Sequence, residues 1–408
     1  MTKPLTIACV GLGGYAGSVC QQLEKASDAA SPPVRLEAAC EPDQQLHAEK
    51  IAALQQRGVR IYRTIDELLA KDSVQSVWLP VPIHLHRPFT EMSLAAGKAV
   101  MVEKPIAGSV QDVDAMIAAR DAAGLPAAVG YQDMWCKENL WLKRQLRAGR
   151  IGKIKWASVV GCWPRNSKYF GRNQWAGALK RGNIWVLDSP ANNALAHHVN
   201  LSLYLLGEAD RESATPEVVH AELYRVNEIE NYDTCSMVAE FANDVKLTVL
   251  LTHACEQVVG PVIRLVGTQG VAIVEPGIAI KIIDDKGEDC ITPEPGSRAG
   301  VPEGFANFVR GIDDDRPTGT LESARAQTVL INAASEASPV STIPDAYIQM
   351  VENDEGDTLR MIPGIQQVFT TLAESGESLH ASGKVPWSIS PGTAQAGSRY
   401  QTFTAPAS

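Results

Sequence analysis

The chain has 408 residues, of which 45% are hydrophobic, and it carries a formal net charge of −10 at pH 7. This length exceeds that of an ordinary single-core domain, so we expect two domains. The acidic balance argues against a nucleic-acid-binding protein, which usually has a basic surface.

The spacing of the cysteines and the first residues of the chain indicate the cellular compartment that we expect. Eight cysteines are scattered without a C-x-x-C pair or a zinc-type spacing, so we expect reduced structural thiols and no metal site. The sequence has no run of about 18 apolar residues, no apolar signal core near its start and no twin arginine. We therefore expect a cytoplasmic protein that does not span a membrane.

Residues 1–130 alternate strand and helix. The apolar run Leu5–Val10 predicts a strand buried on both faces. The next segment places apolar residues at i, i+3, i+4 and i+7 from Ala16, which predicts a helix. Later apolar runs predict further strands at 34–40, 77–79, 99–102 and 126–129. This rhythm indicates right-handed βαβ units and a parallel sheet.

Residues 131–345 no longer show the regular alternation of strand and helix. A helix is predicted over Glu138–Arg147, and the strands after it lack regular crossover helices. We expect an α+β domain with a large open, mainly antiparallel sheet, whose strands lie at 154–160, 217–225, 234–241, 246–252, 262–267 and 270–274. Residues 346–408 are predicted to form a C-terminal extension with one amphipathic helix, 365–380, and a loosely ordered tail.

A glycine-rich turn follows the first strand. The sequence from Gly11 to Ala16 matches G-x-G-x-x-A between a strand and a helix, a context typical of dinucleotide binding. The first glycine permits the tight turn, the second allows close approach to the pyrophosphate, and the alanine permits helix–strand packing. The residues predicted to bind the cofactor here are Gly11, Gly13, Gly14, Tyr15 and Ala16.

An acidic residue ends the second predicted strand. Glu41 has the position of a carboxylate that binds the adenosine ribose hydroxyls, and it would repel a 2′-phosphate. The sequence therefore favours NAD over NADP. Asp43 is the weaker candidate for the same role.

A lysine ends another predicted strand, in the motif Glu103-Lys104-Pro105. Pro105 fixes its own φ and biases Lys104 towards an extended backbone. Because ligands bind at the carboxyl ends of strands in such sheets, we expect this lysine to be functional.

At this point the chain resembles the glucose-fructose oxidoreductase, inositol dehydrogenase and rhizopine-catabolism (Gfo/Idh/MocA) family. The resemblance covers roughly residues 5 to 335 and rests on the glycine turn, Pro82 and His86, Glu103-Lys104-Pro105, and the stretch from Gly182 to Gly207. It implies a Rossmann domain over 1–130, an open-sheet substrate and oligomerisation domain, and an active site between them. It also implies sugar or cyclitol substrates and a homodimer or homotetramer.

The resemblance also implies roles for single residues. Lys104 would orient the reacting oxygen and stabilise charge on it, and His197 with Asp188 would complete the catalytic site. Three further residues of the matching motifs would contact the cofactor: Pro82, His86 and Glu103.

The chain departs from the family pattern at the Asp–His pair. The family spaces these residues as D-x-G-x-H, but here the fourth residue after Asp188 is Asn192. An insertion of about five residues would reconcile the spacing and leave His197 on the following helix. In one interpretation His197 is the acid/base; in the other, Asn192 or Asn193 occupies that place and only positions substrate.

Polar and aromatic residues cluster in segments that we expect to line the substrate site. Aromatic faces beside polar groups suit a sugar ring, and the Arg and Lys content leaves a uronate or another anionic sugar open. The predicted substrate-binding residues are Tyr131, Gln132, Trp135, Arg165, Tyr169, Trp175, Asn192 and Asn193.

Three functions compete at this stage. The first is an NAD-dependent sugar or cyclitol dehydrogenase, which fits the cofactor turn, Lys104 and His197. The second is a glycosidase or lyase that uses transient oxidation by NAD, which fits the altered Asp–His spacing. The third is a non-enzymatic dinucleotide or sugar sensor, and the presence of Lys104 argues against it.

Overall fold

The computed structural model of the protein describes residues 3–293 and 297–407. Its residues cluster into two compact units, which we describe separately. Unit 1 comprises residues 1–107, 112–137 and 295–324; unit 2 comprises 108–111, 138–294 and 325–408. These limits differ from the domain limits predicted from the sequence, because residues 295–324 cluster with the first unit and the C-terminal extension with the second.

Unit 1 contains a six-stranded parallel sheet with the order β3-β2-β1-β4-β5-β6. The central strands are apolar because helices cover both faces of such a sheet. This order confirms the predicted Rossmann architecture. The strands are β1 (Leu5–Val10), β2 (Val34–Cys40), β3 (Arg60–Tyr62), β4 (Ser76–Leu79), β5 (Ala99–Val102) and β6 (Ala127–Val129).

The helices between these strands follow the apolar periodicity. The first buries Ala16, Val19, Cys20 and Leu23, as the sequence predicts. The third begins at a capping box, in which Thr64 Oγ1 accepts a hydrogen bond from the Glu67 N–H at 3.2 Å. The helices are α1 (Gly14–Ser27), α2 (Ala48–Gln56), α3 (Ile65–Lys71), α4 (His86–Ala95) and α5 (Val110–Ala123).

A segment from late in the chain completes unit 1. Its helix, Val301–Val309, buries Phe305, whose ring lies 6.4 Å from that of Trp78. At the edge of the sheet, the Val129 N–H donates to the Gly319 carbonyl at 2.7 Å. Unit 1 is therefore built from the start of the chain and from this returning segment.

Unit 2 contains a ten-stranded mixed sheet, which confirms the mainly antiparallel sheet predicted from the sequence. Its order is β16-β15-β14-β13-β7-β12-β11-β10-β17, with β20 also paired to β10. The parallel pairs are β7 with β12 and β10 with β17. The strands are β7 (Ile154–Cys162), β10 (Val218–Arg225), β11 (Thr234–Glu240), β12 (Lys246–Thr252), β13 (Val259–Gly267), β14 (Gly270–Glu275), β15 (Ala279–Asp284), β16 (Gly287–Ile291), β17 (Val340–Thr342) and β20 (Gly392–Gln395).

Smaller elements and the helices complete unit 2. Two separate hairpins pair β8 with β9 and β18 with β19. The hairpin strands are β8 (Lys180–Arg181), β9 (Ile184–Trp185), β18 (Gln349–Glu352) and β19 (Thr358–Met361). The remaining helices of the chain are α6 (Lys137–Arg147), α7 (Ser167–Gly171), α8 (Ala196–Leu206), α9 (Val301–Val309, in unit 1), α10 (Leu321–Ala337), α11 (Ile365–Ser375) and α12 (Leu379–Ser382).

Both faces of β7 are covered within unit 2. On one face, Ser158 Oγ donates to the Ala373 carbonyl of α11 at 2.6 Å. On the opposite face, a Cβ on Gly161 would lie 3.0 Å from the Leu195 side chain, which precedes α8. Successive strand residues point to opposite faces, so β7 is sandwiched between α8 and α11.

The C-terminal extension is more ordered than the sequence predicts. The amphipathic segment 365–380 forms α11 and the start of α12, and Phe369 and Leu372 are fully buried against the sheet. The expectation of a loosely ordered tail needs correction at β20, which pairs antiparallel with β10. Composition alone missed this strand because its stability comes from the partner strand and not from its own apolar content.

Neither a membrane-spanning helix nor a metal-binding cluster is present in residues 3–293 and 297–407. No helix there is long and apolar enough to cross a bilayer. No three side chains of His, Cys, Asp or Glu come together as a group that could hold a metal ion.

Candidate functional site

The glycine turn has the geometry that the motif predicts. Gly11 has a φ of +104°, and a Cβ at this position would lie 3.2 Å from the Ala16 Cβ. Gly13 is the N-cap residue of α1 and has no side chain to cap the helix. The first N–H groups of α1 and the positive end of its dipole are therefore suited to a phosphate. Tyr15, in the first turn, is 55% exposed.

Glu41 is buried beside this turn. Its Oε2 accepts a hydrogen bond from the Leu12 N–H at 2.8 Å, and its Oε1 accepts one from the Asp43 N–H at 2.9 Å. His47 Nε2 lies 3.9 Å from Oε2. The carboxylate thus ties the end of β2 to the glycine turn. A dinucleotide fits these features. The free N–H groups at the start of α1 suit its pyrophosphate, the tight turn at Gly11 allows close approach, and the Glu41 carboxylate suits the ribose hydroxyls.

Glu103 and Lys104 lie at the end of β5. Burial raises the pKa of Glu103 to about 7, while hydrogen bonds from the Trp78 Nε1–H (3.0 Å) and the Lys104 backbone N–H (3.2 Å) oppose that rise. A Cβ on Gly130 would lie 2.5 Å from Glu103 Oε1, so the site requires glycine there. Lys104 is half-buried and precedes a cis peptide bond to Pro105.

His86 does not present a ring nitrogen to a ligand. Its Nδ1 lies 2.9 Å from the Pro105 carbonyl oxygen, and its Nε2 lies 2.8 Å from that of Val81. Burial lowers the pKa of this imidazole to about 4. The neutral imidazole has one N–H and donates a hydrogen bond to only one of these carbonyls. The position of the ring between Val81 and Pro105 nevertheless places the segment after β4, including Pro82, beside the Lys104–Pro105 segment. The geometry favours a positioning role over the cofactor contact that the resemblance implies.

Three of the predicted substrate-binding residues follow β6 in unit 1. Tyr131 and Trp135 are both 1% exposed, and Gln132 between them is half-buried. Trp135 Nε1–H donates to the Val129 carbonyl at 3.2 Å, and its ring lies 6.3 Å from that of Phe308. Trp135 is therefore a core residue of unit 1, which argues against the predicted role in binding substrate.

In unit 2, the segment between Asp188 and His197 forms a π-helical turn. This turn consists of five residues, Pro190–Ala194, and the Leu195 N–H donates to the Pro190 carbonyl at 2.8 Å. Its length equals the insertion expected from the spacing of the Asp–His pair. Turns of this kind are frequent at functional sites.

Asn192 and Asn193 have different surroundings in the π-helical turn. Asn192 is buried, and its Nδ2 donates to the Val186 and Leu187 carbonyls at 3.1 and 3.3 Å. Asn193 Nδ2 donates to Asp188 Oδ1 at 2.6 Å. Asn192 is thus a structural residue, whereas Asn193 contacts the predicted catalytic carboxylate.

Asp188 is a buried carboxylate with several donors. Its Oδ2 accepts a hydrogen bond from the Gly177 N–H at 2.6 Å, and Arg172 Nη2 lies 3.8 Å from the same oxygen. These contacts and the Asn193 amide stabilise the ionised form of the carboxylate.

His197 and His198 lie in the first turn of α8, as the sequence predicts. Both are buried, their ring centroids are 6.2 Å apart, and the His198 ring packs edge-on against Trp163 at 6.0 Å. At the other end of this helix, Lys143 Nζ donates to the Tyr204, Gly207 and Glu212 carbonyls. The helix that carries the histidines is therefore anchored at its C-terminus.

The predicted residues Arg165, Tyr169 and Trp175 belong to one cluster of aromatic and basic side chains. The Arg165 and Arg172 guanidinium carbons lie 4.8 and 3.7 Å from the Tyr169 ring centroid, and Arg172 lies 5.2 Å from that of Trp175. The structure thus brings these predicted residues together.

The cluster also contains His253, which no sequence motif predicts. His253 follows β12, its Nδ1 lies 2.9 Å from the Trp163 carbonyl oxygen, and its ring centroid lies 5.7 Å from that of Tyr169. Burial, with a smaller contribution from Arg165 and Arg172, lowers its pKa to about 3. The sequence offers no motif around His253 that could have identified it.

Comparison with known families gives two matches. Residues 5–131 match the model described as "Oxidoreductase family, NAD-binding Rossmann fold". Residues 140–273 match the model described as "GFO/IDH/MocA C-terminal domain". Together the two models cover more than half of the chain.

Similar curated proteins include two dehydrogenases. A 4-carboxy-2-hydroxymuconate-6-semialdehyde dehydrogenase of a Sphingobium species is 26% identical over 198 residues, which are 47% of this chain and 60% of the relative. An inositol 2-dehydrogenase of Burkholderia cenocepacia is 25% identical over 213 residues, 52% of this chain and 58% of the relative. The match therefore spans about three fifths of each relative's length.

Among solved structures, the WlbA dehydrogenase from Bordetella pertussis, in complex with NADH and UDP-GlcNAcA, has a similar fold. The TM-score is 0.65 at 21% identity, and the match covers 81% of this chain and 94% of the other. At this identity the likeness concerns the fold alone.

Proposed function

Because the chain belongs to the Gfo/Idh/MocA family of oxidoreductases, we propose that it oxidises or reduces a hydroxyl-bearing carbon of a sugar, cyclitol or sugar derivative. The proposal rests chiefly on Lys104, which ends β5 in the same sheet that carries the uncapped start of α1 and Glu41. The similarity to an inositol 2-dehydrogenase supports the substrate class. NAD, when bound, would supply the acceptor or donor of hydride.

The residues of unit 1 have distinct proposed roles. The N–H groups at the start of α1 bind the pyrophosphate, and Glu41 accepts hydrogen bonds from the adenosine ribose. The Lys104 ammonium orients the reacting oxygen and stabilises negative charge on it. Glu103 acts through Lys104, because its carboxyl accepts the Lys104 backbone N–H.

We assign the proton transfer to His197 in unit 2. An imidazole can take a hydroxyl proton, whereas the Asn193 amide cannot act as a base. Asp188 and Asn193 then act as positioning residues, since each is held by the other at 2.6 Å. The tight engagement of Asn192 with backbone carbonyls supports this choice.

Replacement of the lysine tests the proposed function. We expect Lys104→Met to lower kcat/KM by roughly 10²- to 10⁴-fold, because it removes the charge near the reacting oxygen. The measurement is NADH absorbance with purified protein and a panel of polyols and aldoses. The matched control is Lys98→Met, which lies before β5 and should retain activity. A fully active Lys104→Met variant would reject the role assigned to Lys104, whereas a parent protein that binds NAD but turns over no substrate would favour a sensor.

A second pair of variants tests the assignment of the proton acceptor. We expect His197→Ala to lower kcat by about 10²-fold or more, since it removes the general base. Asn193→Ala should have a smaller effect, because Asp188 keeps its bond from Gly177. The reverse order of effects would reject His197 as the acid/base.

A glycoside-cleaving activity is the second candidate, and the five-residue π-helical turn at the Asp–His pair favours it. After transient oxidation of the sugar by NAD, Asp188 and His197, with their altered spacing, could assist the elimination of the leaving group. Cleavage of nitrophenyl glycosides by the NAD-loaded protein, without net formation of NADH, would support this candidate. Formation of NADH from a free sugar, with no glycoside cleavage, would exclude it.

A further inference from the structure

Unit 2 contains a cavity of about 630 Å³ that the catalytic assignments above do not use. One wall is the segment 164–172, which includes α7, and the other is the hairpin of β18 and β19. We call it the arginine pocket and define it by Arg165, Tyr169 and Arg172 on the first wall and Val351 and Leu359 on the hairpin. Its first wall is thus basic and aromatic, and its hairpin wall combines the apolar Val351 and Leu359 with the polar Asn353 and Asp357.

Two guanidinium groups converge on one ring in the arginine pocket. The Arg165 and Arg172 guanidinium carbons lie 4.8 and 3.7 Å from the Tyr169 ring centroid, so the two charges are no farther apart than the sum of these distances. Like charges at such a separation repel each other. An anion between them would relieve that repulsion.

The positive charge of these two arginines is poorly neutralised by the protein. Within the described part of the chain, Arg165 forms no ion pair, and its buried Nε lacks a hydrogen-bond partner. Arg172 Nη2 lies 3.8 Å from Asp188, whose oxygens already accept closer hydrogen bonds. Both arginines add to the lowering of the pKa of the neighbouring His253, whose main cause is burial of the imidazole.

The other charges of the pocket largely cancel. Lys168 forms an ion pair at 2.8 Å with Glu355 in the hairpin, and both side chains are 68% exposed. Asp357 brings one negative charge to the hairpin wall. Arg165 and Arg172 therefore give the lining its excess positive charge.

We propose that the arginine pocket binds an anionic substituent, a carboxylate or a phosphate, of the substrate. Guanidinium groups bind both anions through paired N–H donors, and the Tyr169 ring with the apolar side chains of the hairpin wall suits the attached sugar ring. The inference rests on the proposed function in that it specifies the substrate class as acidic sugars or sugar phosphates.

Calorimetric titration tests the pocket without requiring turnover. The NAD-saturated protein is titrated with D-glucuronate, D-glucose 6-phosphate and D-glucose. We expect at least one of the two anionic probes to bind at least tenfold more tightly than glucose. Arg165→Gln and Arg172→Gln should each remove that preference for an anionic probe over glucose, and Arg165→Lys should retain part of it. The matched control is Arg399→Gln, an exposed arginine of unit 2 outside the pocket, which should behave like the parent.

Each result of these titrations has a defined meaning. Tighter binding of glucuronate identifies a carboxylate site, and tighter binding of the 6-phosphate identifies a phosphate site. Equal or weaker binding of both anions, or an unchanged preference in folded Arg165→Gln and Arg172→Gln proteins, overturns the proposal. Folding is checked by circular dichroism. Oxidation of neutral sugars without anion binding would reject the pocket and leave the proposed function standing, whereas anion binding without any redox activity would do the reverse.

Discussion

Glu103 has a carboxyl whose protonation should make stability depend on pH. Burial raises its pKa from about 4.5 to about 7. Between these values the folded state holds a proton that the unfolded state has lost, so stability falls as the pH rises through this window. The loss is on the order of 3 kcal/mol by pH 7, at 1.36 kcal/mol per pKa unit.

Glu103→Gln should abolish this decline, because the amide stays neutral. We expect its unfolding free energy, relative to the parent, to improve by about 3 kcal/mol between pH 4.5 and pH 7.5. Urea unfolding at both pH values measures the change, and the comparison cancels groups common to both proteins. The control is Glu374→Gln, an exposed residue of α11. A difference that does not vary with pH would show that Glu103 is ionised throughout.

Glu41 should decide cofactor affinity. Glu41→Ala releases the Leu12 N–H and removes the carboxylate that we propose binds the ribose, so we expect NAD⁺ to bind roughly 10- to 100-fold more weakly. The ratio of the affinities for NAD⁺ and NADP⁺ should also decrease, because the Glu41 carboxylate no longer repels the 2′-phosphate of NADP⁺. Titration calorimetry with both cofactors measures this. Asp43→Ala, beside it, should change either affinity by less than about threefold, and an equal effect of the two substitutions would contradict the assignment.

At the level of residues, the sequence predicted backbone geometry better than side-chain environment. The glycine turn follows from steric rules that are local, so Gly11 and Ala16 could be placed without a structure. The burial of Trp135 could not be predicted in this way, because it depends on packing against Phe308, which is distant in the sequence. His253 was missed for the same reason, since only the fold brings it to Tyr169.

Among the elements, α11 should contribute strongly to the stability of unit 2. Phe369 is fully buried between this helix and the sheet. We expect Phe369→Ala to destabilise the protein by about 3–5 kcal/mol through lost burial and a residual cavity. Thr371→Ala, on the exposed side of the same helix, should change stability by less than about 0.5 kcal/mol. Thermal and urea unfolding compare the two, and equal small effects would mean that α11 does not hold the sheet.

Strands with a continuous apolar run or a clear alternation were predicted well, including short ones such as β5, whereas strands such as β16, whose residues are mostly exposed, were not. The predicted strands 34–40 and 246–252 coincide with β2 and β12. Strand β15 and the edge strand β16 were missed because exposed residues interrupt their alternation. The insertion before His197 could be counted from the spacing, but its π-helical form depends on contacts such as Asn192 with the Val186 carbonyl.

For the molecule as a whole, the thiols provide a simple measure of the packing. Seven of the eight cysteines are buried and Cys290, on the edge strand β16, is exposed. We expect Ellman's reagent to modify one thiol rapidly in the native protein and all eight in guanidinium chloride, because burial blocks thiolate formation and access. Cys290→Ser should remove the rapid reaction. Rapid reaction of several thiols in that variant would show that the units open readily.

The late segment that completes unit 1, which includes α9 and Gly319, affects how the protein folds during synthesis. The edge of the first sheet, at Val129, is paired only when Gly319 has been made, and the Trp78 ring packs against Phe305, which is also made late. The ribosome must first synthesise eight of the ten strands of the second sheet, β7 and β10 to β16. At roughly 5–20 residues per second this takes on the order of ten to forty seconds. During that interval the sheet edge at Val129 is unpaired, and Trp78 lacks its contact with Phe305. We therefore expect ribosome-bound intermediates of this chain to be protease-sensitive and to recruit chaperones until α9 and the residues after it emerge.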